Sequence, residues 1–144
     1  MLVLRVFVST SLRKVTVISY FYSYPYEIMN IDSFMQYCLS KPFTSHDFPF
    51  GEETLVFRVK GKIFALTGLE AGHLQVNLKY DTNLIDEIRD KYEEVQPGYH
   101  MNKRHWNTVD FEGKLSDKIL KELIDHSYSQ VVKGLSKKDR IGLE

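Results

Sequence analysis

The residues best equipped for chemistry crowd into one stretch. Residues 97–110 read Pro-Gly-Tyr-His-Met-Asn-Lys-Arg-His-Trp-Asn-Thr-Val-Asp and hold two of the five histidines, a Lys-Arg pair and the only tryptophan. Three kinds of work suit such a set. One is metal binding or catalysis by His100 and His105. These stand five apart, so on a straight strand they point to opposite faces. Neither a cysteine pair nor a His-Glu-x-x-His helix accompanies them, and Asp110 and Glu112 would face one another only by accident of folding. A second is nucleic-acid contact. Lys103 and Arg104 suit phosphates, Asn102 or Asn107 a base edge, and Tyr99 or Trp106 a stacked base. Arg58, Lys60 and Lys62 on a neighbouring hairpin would add charge. The third is packing, with Trp106 as a core anchor whose N–H meets a carbonyl, histidines and asparagines tying down an irregular loop, and Lys103 and Arg104 solvated.

Elsewhere the chemistry is thin. The lone thiol, Cys38, falls on the apolar stripe of a helix, where a buried thiol is inert. It cannot form an internal disulfide, which fits a reducing cytoplasm. His126 sits between apolar pairs of the last helix and reads as a partly buried, hydrogen-bonded side chain. Lys137, Lys138 and Arg140 read as a solvated basic end. Phe48 and Phe50 flank Pro49 as core plugs beside a turn, and Gly51 permits the positive φ that a chain reversal needs. No β-strand, glycine-rich turn and helix occur in succession, so dinucleotide-binding and P-loop readings fail.

The elements that must position these residues follow from periodicity. Asn30 is an N-cap, and Ile31, Phe34, Met35, Cys38 and Leu39 follow helical spacing up to Pro42. Residues 47–51 read as a short edge strand or turn, because Pro49 cannot donate to a central ladder. Residues 54–59 and 62–66 are rich in β-branched and aromatic residues, and Lys60-Gly61 between them predicts a tight hairpin. Residues 73–80 alternate, with Leu74, Val76 and Leu78 on one face and Gln75, Asn77 and Lys79 on the other. Asp81 is expected to cap a second helix carrying Leu84, Ile85, Ile88, Tyr92 and Val95, which Pro97-Gly98 stops. Residues 99–111 form a loop entering one or two strands. Ser116 caps a long last helix with a stripe from Ile119/Leu120 to Val131/Val132 and Gly134 at its end. Antiparallel hairpins with segregated helices mean an α+β two-layer fold.

The chain has 144 residues, 43% hydrophobic and 26% charged, as expected of one packed domain. Formal net charge is zero. In the first 28 residues Arg5, Arg13 and Lys14 stand against Glu27, so the body from Met29 is mildly acidic. Global charge therefore gives no support to duplex binding, which must come from a local patch. No apolar window is long enough to span a membrane. Residues 1–28 lack the continuous apolar core and cleavage site of a signal peptide. They read as an extension from an upstream start, with residues 29–144 as the single domain; the alternative is a genuine extra strand or arm.

Several segments together resemble the MmcQ/YjbR family. They are Asp-Phe-Pro-Phe-Gly at 47–51, Thr-Leu-Val-Phe-Arg-Val-Lys at 54–60 with Gly-Lys-Ile-Phe-Ala-Leu at 61–66, Val-Asn-Leu-Lys at 76–79, the string 97–108, and Leu-Ile-Asp-His-Ser-Tyr at 123–128. The likeness covers residues 29–140. It implies a CyaY-like or secretion-chaperone-like fold in the order α-β(3)-α-β(2)-α, an antiparallel sheet packed by helices. The family is described as bacterial-type, predicted DNA-binding proteins with a double-wing motif. The wings would map onto the hairpin at residues 58–64 and onto residues 101–111. The resemblance brings no enzymatic activity, cofactor or metal. The site expected is Lys79, His100, Lys103, Arg104 and His105, with Trp106 in support. The alternative is a protein-interaction or chaperone-like adaptor, using the sheet face of Gln75, Asn77 and Lys79 or a groove beside the last helix. A small-ligand pocket around Tyr99, His100 and His105 is a third possibility.

Overall fold

A computed structural model describes residues 3–6, 20–23 and 28–143. Strands β1 (Val3–Val6) and β2 (Tyr20–Ser23) pair antiparallel as a two-stranded sheet of their own. The rest of residues 1–27 lies outside the described residues, and with it the reading of residues 1–28 as an upstream addition.

The remainder is α+β, with three helices and a six-stranded antiparallel sheet in the order β3-β4-β5-β6-β8-β7. Helix α1 (Ile31–Leu39) starts where its capping chemistry dictates. The Asn30 side chain accepts from the Ser33 N–H, and Ser33 returns the favour to the Asn30 N–H. Its buried stripe is Phe34 and Cys38; Leu39 is exposed. Strand β3 (Thr44–Asp47) pairs with β4 (Thr54–Val59) as a polar edge. The resemblance implies three strands before the second helix, and β3 makes four. The Lys60-Gly61 turn joins β4 to β5 (Lys62–Gly68). Both its residues have positive φ, 48° and 79°, the geometry that matches strand twist in a two-residue hairpin. A bulge at Phe57/Arg58 turns Phe64 and Ala65 both into the core. Strand β6 (Gln75–Lys79) buries Val76 and Leu78.

Two expectations need correction here. Helix α2 (Ile85–Lys91) is shorter than its apolar pattern suggests: Val95 belongs to strand β7 (Val95–Pro97), not to the helix. Asp81 does not cap it. Its carboxylate accepts from the Asn83 N–H, holding the preceding turn, and the N-cap is Leu84 with no side-chain bond. Strand β8 (Trp106–Asp110) then pairs with both β6 and β7.

Ser116 caps α3 (Asp117–Lys133), which buries Leu120, Leu123, Ile124, Ser127 and Val131 against the sheet. The largest wholly buried side chains are Phe34, Phe57, Phe64 and Phe111. Phe34 meets two of them edge to face, Phe57 at 5.2 Å and Phe111 at 5.4 Å. Such pairs add about 0.5–1.5 kcal/mol beyond area burial. Phe48 and Phe50 are not core plugs: they are 44% and 66% exposed. Gly51 does carry the expected positive φ, 104°. Among the described residues no helix is long and apolar enough to cross a membrane.

Candidate nucleic-acid interface

Strand register decides which residues share an end of the sheet. Ala65 pairs with Leu78, Leu78 with Asn107 and Asn107 with Pro97. The Lys60-Gly61 turn, the C-terminal end of β6 at Lys79 and the loop at residues 98–105 therefore emerge on the same side. Two strand spacings, about 10 Å, separate β5 from β8. The two expected wings are thus neighbours.

The 98–105 loop is built by its own hydrogen bonds. The Gly98 N–H donates to the Trp106 carbonyl at 2.8 Å, and the Met101 N–H returns to the Gly98 carbonyl at 3.3 Å. Only glycine fits at 98, since a Cβ there would lie 2.9 Å from the Trp106 carbonyl oxygen and from the Met101 Cβ. The Asn102 carbonyl accepts from the N–H groups of His105 and Trp106, and its side-chain oxygen accepts from the Arg104 N–H. The Asn102 side-chain oxygen is therefore spent on the turn, and the residue is exposed. Asn107 is buried beneath α2, 1% exposed, and its Oδ1 accepts from Arg89 Nε at 2.7 Å.

Arg89 is the residue that sequence reasoning missed. Its guanidinium also donates to the carbonyls of Lys103 and Trp106. One half-buried cation from α2 thus pins the C-terminal half of the loop. The signal was present: Arg89 sits with Ile85, Ile88 and Tyr92 at i, i+3, i+4 and i+7, a charged residue on an apolar stripe.

The expected cations divide into two groups. Arg58 is committed, donating from Nε to Asp47 at 3.0 and 3.2 Å and from Nη1 to the Gly61 carbonyl at 3.1 Å. Lys103 turns back on its own loop, its ammonium donating to the Gly98 carbonyl at 3.0 Å. Lys60, Lys62 and Arg104 are exposed at the two loop tips. The Lys60 ammonium lies 3.8 Å from the centroid of the Phe43 ring, a perch that leaves its outer side to solvent. Lys79 is half-buried, directly opposite Trp106 across the β6–β8 ladder.

Trp106 is not the core anchor. It is half-buried and alternates with the inward-facing Asn107 and Val109, so it lies on the sheet face turned away from the helices. On that face Thr108 donates to Asn77 at 2.6 Å. Tyr99 is 71% exposed, its ring 4.0 Å from that of His100. His100 holds a strained φ of 56°, which projects this pair from the loop. His105 is half-buried, and its carbonyl accepts from the Tyr80 N–H. His100 and His105 do not form a ligand pair, and among the described residues no group of three or more His, Cys, Asp or Glu is placed to hold a metal.

The opposite end of the sheet is rich in carboxylates. Glu52, Glu53, Glu70, Glu93, Glu94, Asp110 and Glu112 all fall in or beside its turns. There His73 bridges two carboxylates, Nε2 to Asp110 at 2.8 Å and Nδ1 to Glu112 at 2.5 Å. That end also holds Lys114, and Asp81 and Asp86 stand beside Lys79 and Arg89 at the other, so among the described residues the two ends differ in balance and not in kind.

The titratable groups of the helical layer serve packing. Tyr37 donates to both oxygens of Asp125, at 2.7 and 2.9 Å, and Lys41 pairs with the same carboxylate. Burial, with the Asp125 hydrogen bond and charge in support, pushes the Tyr37 phenol up to about 12. Burial likewise pushes the Cys38 thiol up, so it stays protonated and inert. His126 accepts the Asp81 N–H on Nε2 at 3.1 Å and stacks on Tyr80 at 3.9 Å. Burial lowers its pKa from the usual 6.5.

Comparison with known proteins bears on the same segments. The YjbR family model matches residues 39–130. The Escherichia coli O157:H7 protein YbdF is 40% identical over 102 residues, 71% of this chain and 84% of its own. YjbR of Escherichia coli K12 is 31% identical over 112 residues, 78% of this chain and 95% of its own. The crystal structure of Deinococcus radiodurans protein DR2400, with a DUF419 domain, superposes with a TM-score of 0.74 at 36% identity, covering 81% of this chain and 88% of that one. A Pseudomonas syringae protein superposes at 0.59 with 32% identity, covering 69% and 96%. The fold, the motif order and these relatives agree, and the chain belongs to the MmcQ/YjbR family.

Proposed function

We propose that the protein binds nucleic acid across the sheet end formed by the Lys60-Gly61 turn and the 98–105 loop. The observation that carries the reading is the common end of the two loops, which brings Lys60, Lys62, Lys79 and Arg104 to one end of the sheet. Lys60, Lys62, Lys79 and Arg104 contact phosphates, while Tyr99 with His100 offers an exposed ring pair for stacking. Arg58, Lys103, Asn102 and Asn107 act indirectly, by holding the turn and the loop in shape. The double-wing description of the family agrees with two adjacent loops of this kind. The proposal gives the protein no catalytic step and places it in the cytoplasm, as its single buried thiol suggests.

The test is fluorescence anisotropy of the full chain with short single- and double-stranded DNA and with RNA, titrated with salt. Four phosphate contacts predict that log K falls with log salt at a slope of about −3 to −3.5. Lys62→Ala with Arg104→Ala would flatten that slope by roughly 1.5–2. A flat isotherm at low salt, or a slope the double variant leaves alone, sinks the proposal.

A further inference from the structure

Three large apolar side chains at the acidic end are exposed: Phe48 and Phe50 in the β3–β4 turn and Leu69 in the turn after β5, at 44%, 66% and 44%. Exposed apolar side chains that share one concavity, unlike those scattered singly, mark a candidate interaction site. Phe50 and Leu69 line one shallow concavity of about 640 Å³, and the charged residues around it are Glu52, Glu53 and Glu70. Among the described residues no lysine or arginine lines it.

Backbone hydrogen bonds join the turns that form this surface. The Leu69 N–H donates to the Glu53 carbonyl at 2.8 Å, tying the two turns together, and the Thr54 N–H donates to the Gly51 carbonyl at 3.2 Å. Pro49 fixes its own φ, and Gly51 takes the left-handed conformation that a side chain would resist. Phe50 is thereby presented with little backbone freedom left to lose on binding. A nucleic acid is a poor occupant, since the carboxylates would repel its phosphates.

We infer that this concavity docks a partner protein through a segment bearing an apolar or aromatic side chain flanked by lysine or arginine. The anchor would cover Phe50 and Leu69, and the flanking cations would meet Glu52, Glu53 and Glu70. The site lies at the opposite end of the strands from the proposed nucleic-acid surface, so both ends could be occupied together.

The experiment uses the isotopically labelled full chain and two probe peptides. One is Lys-Lys-Leu-Phe-Arg-Lys amide; the other has glutamate in place of each lysine and arginine. The basic peptide is expected to shift the backbone resonances of Phe50, Gly51, Glu53 and Leu69 saturably below millimolar concentration. Phe50→Ser and Glu70→Lys should each weaken it by about fivefold or more while leaving the rest of the spectrum and nucleic-acid affinity unchanged. Shifts absent at millimolar peptide, equal for both peptides, or indifferent to Phe50→Ser would overturn the inference. So would sedimentation showing that the chain self-associates and that Phe50→Ser abolishes the association. None of these results would touch the nucleic-acid reading, whose residues lie at the other end.

Discussion

Arg89→Met is the perturbation that separates a loop held by design from one that merely looks ordered. The substitution keeps the aliphatic stem and removes the guanidinium. Asn107 Oδ1 and the Lys103 carbonyl lose this donor, while the Trp106 carbonyl keeps the Gly98 N–H. The Asp86 contact, 3.5 Å to a side chain that is 92% exposed, contributes little. A hydrogen bond from a charged donor is worth about 1.5–3 kcal/mol, and orphaning a buried acceptor costs about 1–3 kcal/mol. The three bonds share one group and will not add. The Lys103 carbonyl can turn to water, whereas Asn107 cannot. We expect a loss of about 3 kcal/mol, read by urea unfolding, or roughly 6–12 °C in Tm for a chain of this size. Hydrogen exchange of amides 98–105 should accelerate in the same variant. Adding Asn107→Leu removes the orphaned acceptor and should recover part of the loss, giving a coupling of about 1 kcal/mol or more in the cycle. A loss under about 0.5 kcal/mol with loop exchange unchanged would refute the claim that Arg89 shapes the site.

Other consequences can be measured on the same material. Gly98→Ala forces a Cβ against the Trp106 carbonyl and Met101, and should cost about 1–3 kcal/mol by thermal unfolding, against a few tenths at the open Gly68 position. Tyr37 titrates near 12 in the folded state, above its ordinary 10, so its contribution is complete below pH 10 and is lost as pH rises from there through 12. Asp125→Asn should move its phenolate absorbance transition back toward 10. His126 has the opposite sign: its folded pKa is lowered, so the stability it contributes is present above 6.5 and is lost as pH falls. His126→Gln should remove that acid-side decline, and imidazole resonances should show the lowered pKa directly. Cys38 should resist alkylating reagents in the folded protein and react readily once it is unfolded in urea, since burial holds it as the thiol.

What could be read from the chain was what local chemistry determines. Asn30 and Ser116 cap their helices because an Asx or Ser side chain reaches its own backbone within three residues. Lys60-Gly61 and the stripe of α3 are equally local. Strand β3 was hidden because Thr-Ser-His-Asp on an exposed edge carries no apolar alternation. Helix α2 was drawn too long because Val95 continues the helical apolar period while its backbone pairs with Val109. Trp106 and Asn107 were misjudged for a shared reason. Which face a strand residue takes depends on what the helices cover, so the buried polar residue proved to be Asn107, and Trp106 lies opposite. The exposure of Phe48 and Phe50 contradicts hydrophobicity alone, and a surface function is the physical reason to expect such exceptions.

The central claim is that one end of this sheet meets nucleic acid and the other does not. Amide resonance mapping of the full chain against the tightest oligonucleotide tests it most directly. The account predicts shifts at residues 60–62, 79 and 98–105, fading as salt rises, with residues 50–54 and 69–73 unmoved. Shifts centred on the acidic end, or none at low salt with oligonucleotide in excess, would contradict it.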